Sequence, residues 1–533
     1  MRHAIACVQC RRRKKKCYVP QRSNSCCKYC AEKKLCCSLT NSIERLLNSG
    51  RNTGPAPGLE NHDQSLSPRD TSPVIHDSAL LPDLTLQLEL ARLYFDYIHD
   101  QFHTIFHKPS LMNAIEHGTV APVLIYGIIA LSARFSDNVK FKNIPSKHRG
   151  LQYAQKCSEL LNLRDISLTT VQAALLLGAF WTGEGDPASE SVYICVGIHI
   201  SQLLRLPIRA ASTLLEREVD VRVWSTLRMI DVWSSNGMSL PRRLGNEHNE
   251  LPINELTFLQ LTPHDINLGD VSGVFSSSLV AEMVKLNKIL AAINELNKNS
   301  VEGRTEGQMS EKEVDWLAQQ LTDWERDLPD HLRDNAENLS RYASLGLGRV
   351  FVAVYCGYYH FGQLLYYRFL QPDSYASCTP NIRAYYALQC KAHAAALCQI
   401  IYMSHSTPGC DVLYSMIGHV LVIASTVQIH TLLFSNSDQE IKLSRSRLER
   451  NFEILLRLYE IWPCISACLL RLRVFHTACR KSMTTSFVLD RWMLRFLREF
   501  GQPVDERKGG EMESDADIPL SLEKIGLSPA PKA

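Results

Sequence analysis

The chain has 533 residues, enough for two to four domains or for one small module on a large body. With 45% hydrophobic and 21% charged residues it can bury a large core, which excludes wholesale disorder. The formal net charge of +3 is unevenly divided: residues 1–37 hold 11 Lys+Arg against one acid, Glu32, leaving 47 basic and 54 acidic groups for the rest. A short, strongly basic head on a mildly acidic body points to a polyanionic partner for the head alone.

Eight of the 18 cysteines fall between Cys7 and Cys37. No apolar stretch precedes Arg11–Lys16, so no secretory signal is expected, and a reducing compartment follows. Clustered thiols there suit metal better than disulfides. The head reads Cys7-x2-Cys10-x6-Cys17, then Cys27-x2-Cys30-x6-Cys37. The x2 spacing sets two thiolates one helical turn apart, and the x6 spacer returns a third. Three thiolates cannot close a tetrahedron, whereas six around two Zn²⁺ ions fill eight positions if two sulfurs bridge. Cys26 and Cys36 break the repeated spacing and are the spares. Two rivals stand beside this arrangement: a disulfide-rich head, against which the compartment weighs, and two separate four-thiolate zinc sites, against which the adjacent pairs Cys26-Cys27 and Cys36-Cys37 weigh. Arg11–Lys16 places six cations on a short helix. Alone such a run is a nuclear import signal or a solvated face; on a rigid metal scaffold it can enter a DNA major groove.

The head is similar to the DNA-binding module of the fungal binuclear zinc-cluster transcription factors, over Cys7–Cys37. The resemblance implies two Zn²⁺ ions held by Cys7, Cys10, Cys17, Cys27, Cys30 and Cys37, with Cys7 and Cys27 bridging. It further implies double-stranded DNA as partner, Arg13 and Lys14 reading the bases of a CGG-type triplet, and a nuclear location. Arg11, Lys16, Lys28, Lys33 and Lys34 would then meet phosphates, which position the module without specifying sequence. After the cluster, Ile43, Leu46 and Leu47 give about one turn of amphipathic helix before Asn48-Ser-Gly, too short for a zipper. A monomer, or a homodimer held by the large domain, is the expectation.

Residues 48–79 read as a flexible linker. Asn48–Ser78 carries four Pro, three Gly and five Ser and few sizeable apolar groups, too few to offset the entropy of ordering it. Residues 80–502 read as one all-helical domain. Helical periodicity recurs in Val123–Phe135, Val171–Phe180, the run from Phe351 to Leu365, Gln389–Met403 and Phe452–Leu472. Leu279, Met283, Leu286, Leu290 and Ile293 step at coiled-coil spacing for only two heptads, which suits a bundle core. Val412–Phe434 has no Asp, Glu, Lys or Arg, but its Ser, Thr, Gln and His suit a protein core better than lipid. The ten scattered cysteines read as small core residues. The polar residues 503–533 read as a disordered tail.

Leu93–Pro109, Ser167–Gly178, Gly197–Leu206 and Glu216–Pro241 resemble, in order, segments of the fungal-specific regulatory domain that often follows such clusters. Asp220 and Val232 stand where that resemblance has commonly basic residues. His99, Asp100 and His107 read as structural groups rather than a metal or acid–base site, and Arg222 with Asp231 as an ion pair. The sequence holds no G-x-S-x-G, H-E-x-x-H, P-loop or G-x-G-x-x-G, so no enzyme is expected. The many aromatic residues read as core, with a pocket for a small-molecule effector as the alternative. The fold class is mostly α, and the leading function is sequence-specific regulation of transcription by RNA polymerase II. The alternatives are a small-molecule sensor or an interaction scaffold with a zinc-stabilised basic head.

Overall fold

The computed structural model describes residues 81–101, 103–245, 250–265, 278–303, 307–371, 380–500 and 504–507. The cysteines Cys7, Cys10, Cys17, Cys27, Cys30 and Cys37, the basic residues from Arg11 to Lys34, the linker and most of the tail lie outside them. Among the described residues every regular element is a helix, and the one extended feature is an isolated bridge between His99 and His103. In chain order these are α1 (Leu84–Tyr97), α2 (Lys108–Glu116), α3 (Pro122–Ser132), α4 (Leu151–Leu160), α5 (Leu168–Glu184), α6 (Pro187–Leu203), α7 (Leu214–Gly237), α8 (Glu255–Gln260) and α9 (Leu279–Val301). They continue with α10 (Gly307–Asp327), α11 (Ala336–Ser344), α12 (Gly348–Tyr366), α13 (Pro380–Ser406), α14 (Met416–Phe434), α15 (Asp438–Tyr459), α16 (Ile465–Lys481), α17 (Met483–Ser486) and α18 (Arg491–Arg498).

Short polar side chains start many of these helices by accepting an otherwise unpaired backbone N–H. Asp83 accepts from Leu86 at 3.1 Å, Asp186 from Ser189 at 3.0 Å, Ser278 from Ala281 at 3.1 Å and Asp490 from Met493 at 2.8 Å. Pro122 and Pro187 sit in the first turns of α3 and α6, where a missing N–H costs nothing. Gly185 ends α5 in the left-handed region at φ 76°, and a side chain there would also press on the backbone of Cys464.

Helices α3, α5 and α14 are apolar nearly all round and lie inside the bundle, as that pattern demands. α14 is long and apolar enough to cross a membrane, yet 83% of its apolar stretch is buried within the body. Its hydroxyl groups find partners there. Ser425 donates to the Leu421 carbonyl at 2.7 Å and Thr426 to that of Ile423 at 2.7 Å. Tyr367 donates to Thr426 at 2.9 Å, and Asn451 of α15 donates to Ser425 at 3.1 Å. The heptad-spaced stripe of α9 is core: Leu279, Leu286, Leu290 and Ile293 are all buried.

Two expectations change. Phe452–Leu472 is not one helix, because Pro463 cannot continue the hydrogen-bonded ladder and the chain turns between α15 and α16. Cys195 is exposed on α6, while the other eight described cysteines are buried, and none of the nine is in a disulfide. Residues 504–507 pack on the body: Val504 is buried, and the Arg507 guanidinium contacts Asp490 and lies 5.0 Å from the Trp492 ring.

Candidate functional site

Two features of the body bear on function: the charged residues that fix α7, and a cavity behind it. α7 carries the segment Glu216–Pro241 singled out from the sequence. Arg222 is buried and fully engaged. It donates to Glu218 at 2.7 Å, to Thr104 at 3.2 Å and to the Ile253 carbonyl at 2.7 Å, with its plane 4.1 Å from the Phe258 ring. Asp231, wholly buried, accepts the backbone N–H groups of Arg243 and Leu244 at 2.9 Å each and the Ser235 hydroxyl at 3.1 Å. Arg222 and Asp231 therefore do not pair with each other. The nine-residue separation puts them on different turns, and each has its own partner. Arg243 approaches Asp231 at 3.5 Å. Asp220, one of the departures from the expected basic pattern, is buried against Arg209 in a two-point contact at 2.5 and 2.7 Å. The charges of α7 are thus anchors that clamp the loops at both of its ends.

His99, Asp100 and His107 are structural, as expected. His99 accepts the N–H groups of Ile105 and Phe106 through Nε2, both at 3.1 Å, and faces Asp100 at 3.0 Å through Nδ1. Burial pushes the Asp100 carboxyl up, but His99, Arg222 and Thr104 outweigh it and hold it down to about 2. Asp100 also takes φ 63°, which turns the chain so that its N–H donates to the His103 carbonyl at 2.8 Å. His107 precedes α2 and pairs with Ser110 at 2.7 Å. Among the described residues no group of three His, Cys, Asp or Glu is placed to hold a metal.

Between the loop after α1 and helices α6, α7, α9, α12 and α14 lies a cavity of about 110 Å³. Met229, Trp233, Met283, Phe361, Tyr414 and Phe500 supply apolar walls. Polar groups converge on it: Gln101 from the loop, Glu190 from α6, Asn287 from α9 and His360 from α12. His360 is fully buried, its ring stacked on Trp233 (centroids 5.8 Å, planes 14° apart) and edge-on to His419 at 5.4 Å. Neither ring nitrogen of His360 has a protein partner, nor do Gln101 Oε1, Glu190 Oε2 or Asn287 Oδ1. Burial brings His360 down to about 3, so the ring is neutral, and pushes Glu190 up to about 8 against the opposing pull of Ser234 and Arg243. Each such orphan costs about 1–3 kcal/mol when it stays unpaired, so four residues of this kind around one space are not economical core packing.

None of these four stands out in the sequence. Asn287 interrupts the apolar stripe beside Leu286, and His360 lies within Tyr-Tyr-His-Phe; a polar residue inside an otherwise buried helical face was the available signal. Glu190 in the first turn of α6 passes for a helix-dipole partner.

Residues 91–326 match the fungal specific transcription factor domain. A transcriptional regulatory protein of Schizosaccharomyces pombe is 24% identical over 316 residues, covering 53% of this chain and 32% of that protein. A second from the same yeast is 23% identical over 415 residues, covering 66% and 49%. A Zn(2)-C6 fungal-type transcription factor of Fusarium oxysporum f. sp. lycopersici is 25% identical over 188 residues, covering 32% and 20%. The chain thus spans between a fifth and a half of the length of these relatives. No solved structure matches. The helical body therefore carries, over residues 91–326, the match to the regulatory domain of fungal transcription factors, and the proteins it resembles are transcriptional regulators by name.

Proposed function

We propose that the chain is a nuclear, zinc-dependent, sequence-specific transcription factor of the binuclear zinc-cluster type, and not an enzyme. One observation carries this: the doubled C-x2-C-x6-C motif with its six-cation run stands in the same chain as a segment matching the fungal specific transcription factor domain. The Zn(2)-C6 name of the Fusarium relatives supports the same reading. In this reading Cys7, Cys10, Cys17, Cys27, Cys30 and Cys37 hold two Zn²⁺ ions. The metal stiffens residues that have no hydrophobic core of their own. Arg13 and Lys14 donate to guanine O6 and N7 in a CGG-type triplet, and Arg11, Lys16, Lys28, Lys33 and Lys34 neutralise phosphates. Residues 48–79 tether the head to the body of residues 80–502, with 503–533 as a tail. A homodimer, where one forms, is held by the helical body, because the residues after the cluster supply about one turn of helix.

The test is fluorescence anisotropy of the full chain on a CGG-containing duplex and on a scrambled one, across a salt series. The expected result is preferential binding to the CGG duplex, lost with a zinc chelator and restored by Zn²⁺. The log–log salt slope should fall by about 0.9 for each phosphate contact removed. Equal affinity for both duplexes, or binding that survives verified zinc removal, would overturn the proposal.

A further inference from the structure

We infer that the cavity between α6, α7, α9 and α12 is a binding site for a small uncharged organic molecule with an apolar body and at least one hydroxyl or N–H donor. The size of the cavity limits its occupant. About 110 Å³ is close to the roughly 150 Å³ of engineered cavities that take up benzene, so the occupant is about one ring in extent. Its walls are apolar and deformable: Met229 and Met283 bring flexible thioethers, and Trp233, Phe361 and Phe500 bring ring faces.

The polar chemistry then selects the class. The Gln101 amide nitrogen is committed to the Asp96 carbonyl at 3.1 Å, which leaves Oε1 as an acceptor without a donor. Asn287 Oδ1 is a second such acceptor, whereas protonated Glu190 and neutral His360 each bring a donor as well as an acceptor, so unpaired acceptors still outnumber donors around the space. A ligand that brings a donor satisfies what the protein does not. No Lys or Arg lines the cavity, so an anion has no counter-charge there. The ionised lining carboxylate, Asp100, is already taken by His99 at 3.0 Å. Burial keeps Glu190 protonated and His360 neutral near pH 7, which leaves no free negative charge for a cation.

The site has a route to regulation, because its walls come from elements of different parts of the chain. Asp100 and Gln101 precede α2, Trp233 is on α7, whose ends are clamped through Arg222 and Asp231, and Phe500 follows α18. An occupant that ties these together rigidifies the body. That step rests on the proposed reading of the chain as a transcription regulator; occupancy itself does not.

Benzyl alcohol is the probe, with toluene as its donor-free counterpart, titrated into the full chain and followed by ligand-observed NMR and thermal melting. Benzyl alcohol should bind saturably with Kd on the order of 1 mM, and toluene about tenfold more weakly, a difference of about 1.4 kcal/mol. Ala353→Leu, which puts a larger side chain into the cavity wall, should abolish binding without lowering the melting temperature. Asn287→Leu removes one orphan acceptor and should weaken benzyl alcohol toward the toluene value while raising the melting temperature of the unliganded chain. Absence of saturable binding, which would leave water as the only occupant, overturns the inference. So does binding that Ala353→Leu and Asn287→Leu leave unchanged, or toluene binding as tightly as the alcohol. Affinity for the CGG duplex is measured on the same preparation. A chain that takes up the alcohol but not DNA refutes the proposed function and keeps the cavity, and the reverse refutes the cavity alone.

Discussion

Asp231 shows what a single buried carboxylate does in this body. It accepts two backbone N–H groups and a hydroxyl in a place water does not reach, so Asp231→Ala strands all three donors. The expected loss is about 3–5 kcal/mol by urea unfolding, close to what removal of one partner from a buried ion pair costs. Glu190 is the opposite case. Its carboxyl is neutral in the folded chain up to about pH 8 but ionises near its ordinary value when the chain unfolds. The unfolded state therefore binds fewer protons between those limits, and the contribution of Glu190 to stability falls as pH rises through that window. Glu190→Gln should be more stable than the parent at pH 7.5, the gap closing by pH 4.5; a gap independent of pH would contradict this account. At the head, Lys14→Ala should cost about 1–3 kcal/mol on the CGG duplex and relax preference at one base, whereas Lys33→Ala should weaken both duplexes alike.

Between helices, close approach depends on what is missing. A Cβ on Gly183 of α5 would sit 2.5 Å from the Trp462 ring, whose indole N–H donates to the Leu413 carbonyl at 2.6 Å and whose face lies 4.0 Å from the buried Arg134 guanidinium. Gly183→Ala should therefore cost about 1–3 kcal/mol by the same urea assay, because the indole is pinned on its other sides and cannot retreat. The helical class was legible from the sequence because periodicity survives wherever one face is buried, and α14 was legible because its polar residues are of the kind that bond back to their own helix. The cavity was not legible. Asn287, His360 and Glu190 lie on three helices far apart in sequence, and each alone looks like a tolerated polar residue; only packing brings them to one space. The partner of Arg222 was missed for a related reason. Glu218 lies one turn before it and is the local partner, while Asp231 looks plausible in sequence but faces a loop.

For the molecule as a whole, neutral buried histidines set the acid limit. Burial holds His103, His360 and His430 near 3 and His393 near 4, whereas all four protonate near 6.5 in an unfolded chain. The unfolded state then binds more protons, so stability drops as pH falls from about 6.5 toward 4, up to about 1.4 kcal/mol per histidine per pH unit. Burial also raises the carboxyls of Glu184, Glu190, Glu218, Asp220 and Asp334, which opposes this, but it holds down His107, His405 and His419 as well, so the body should unfold on acidification, as circular dichroism would show. The central place of α14 has a genetic corollary. α15, α16 and α18 follow it in the chain, and α15 and α16 pack on it. A premature stop codon after residue 434 would synthesise that 19-residue apolar rod without its cover. Nonsense alleles between codons 435 and 481 should then behave as full nulls cleared by quality control, and not as a gene product merely trimmed at its end.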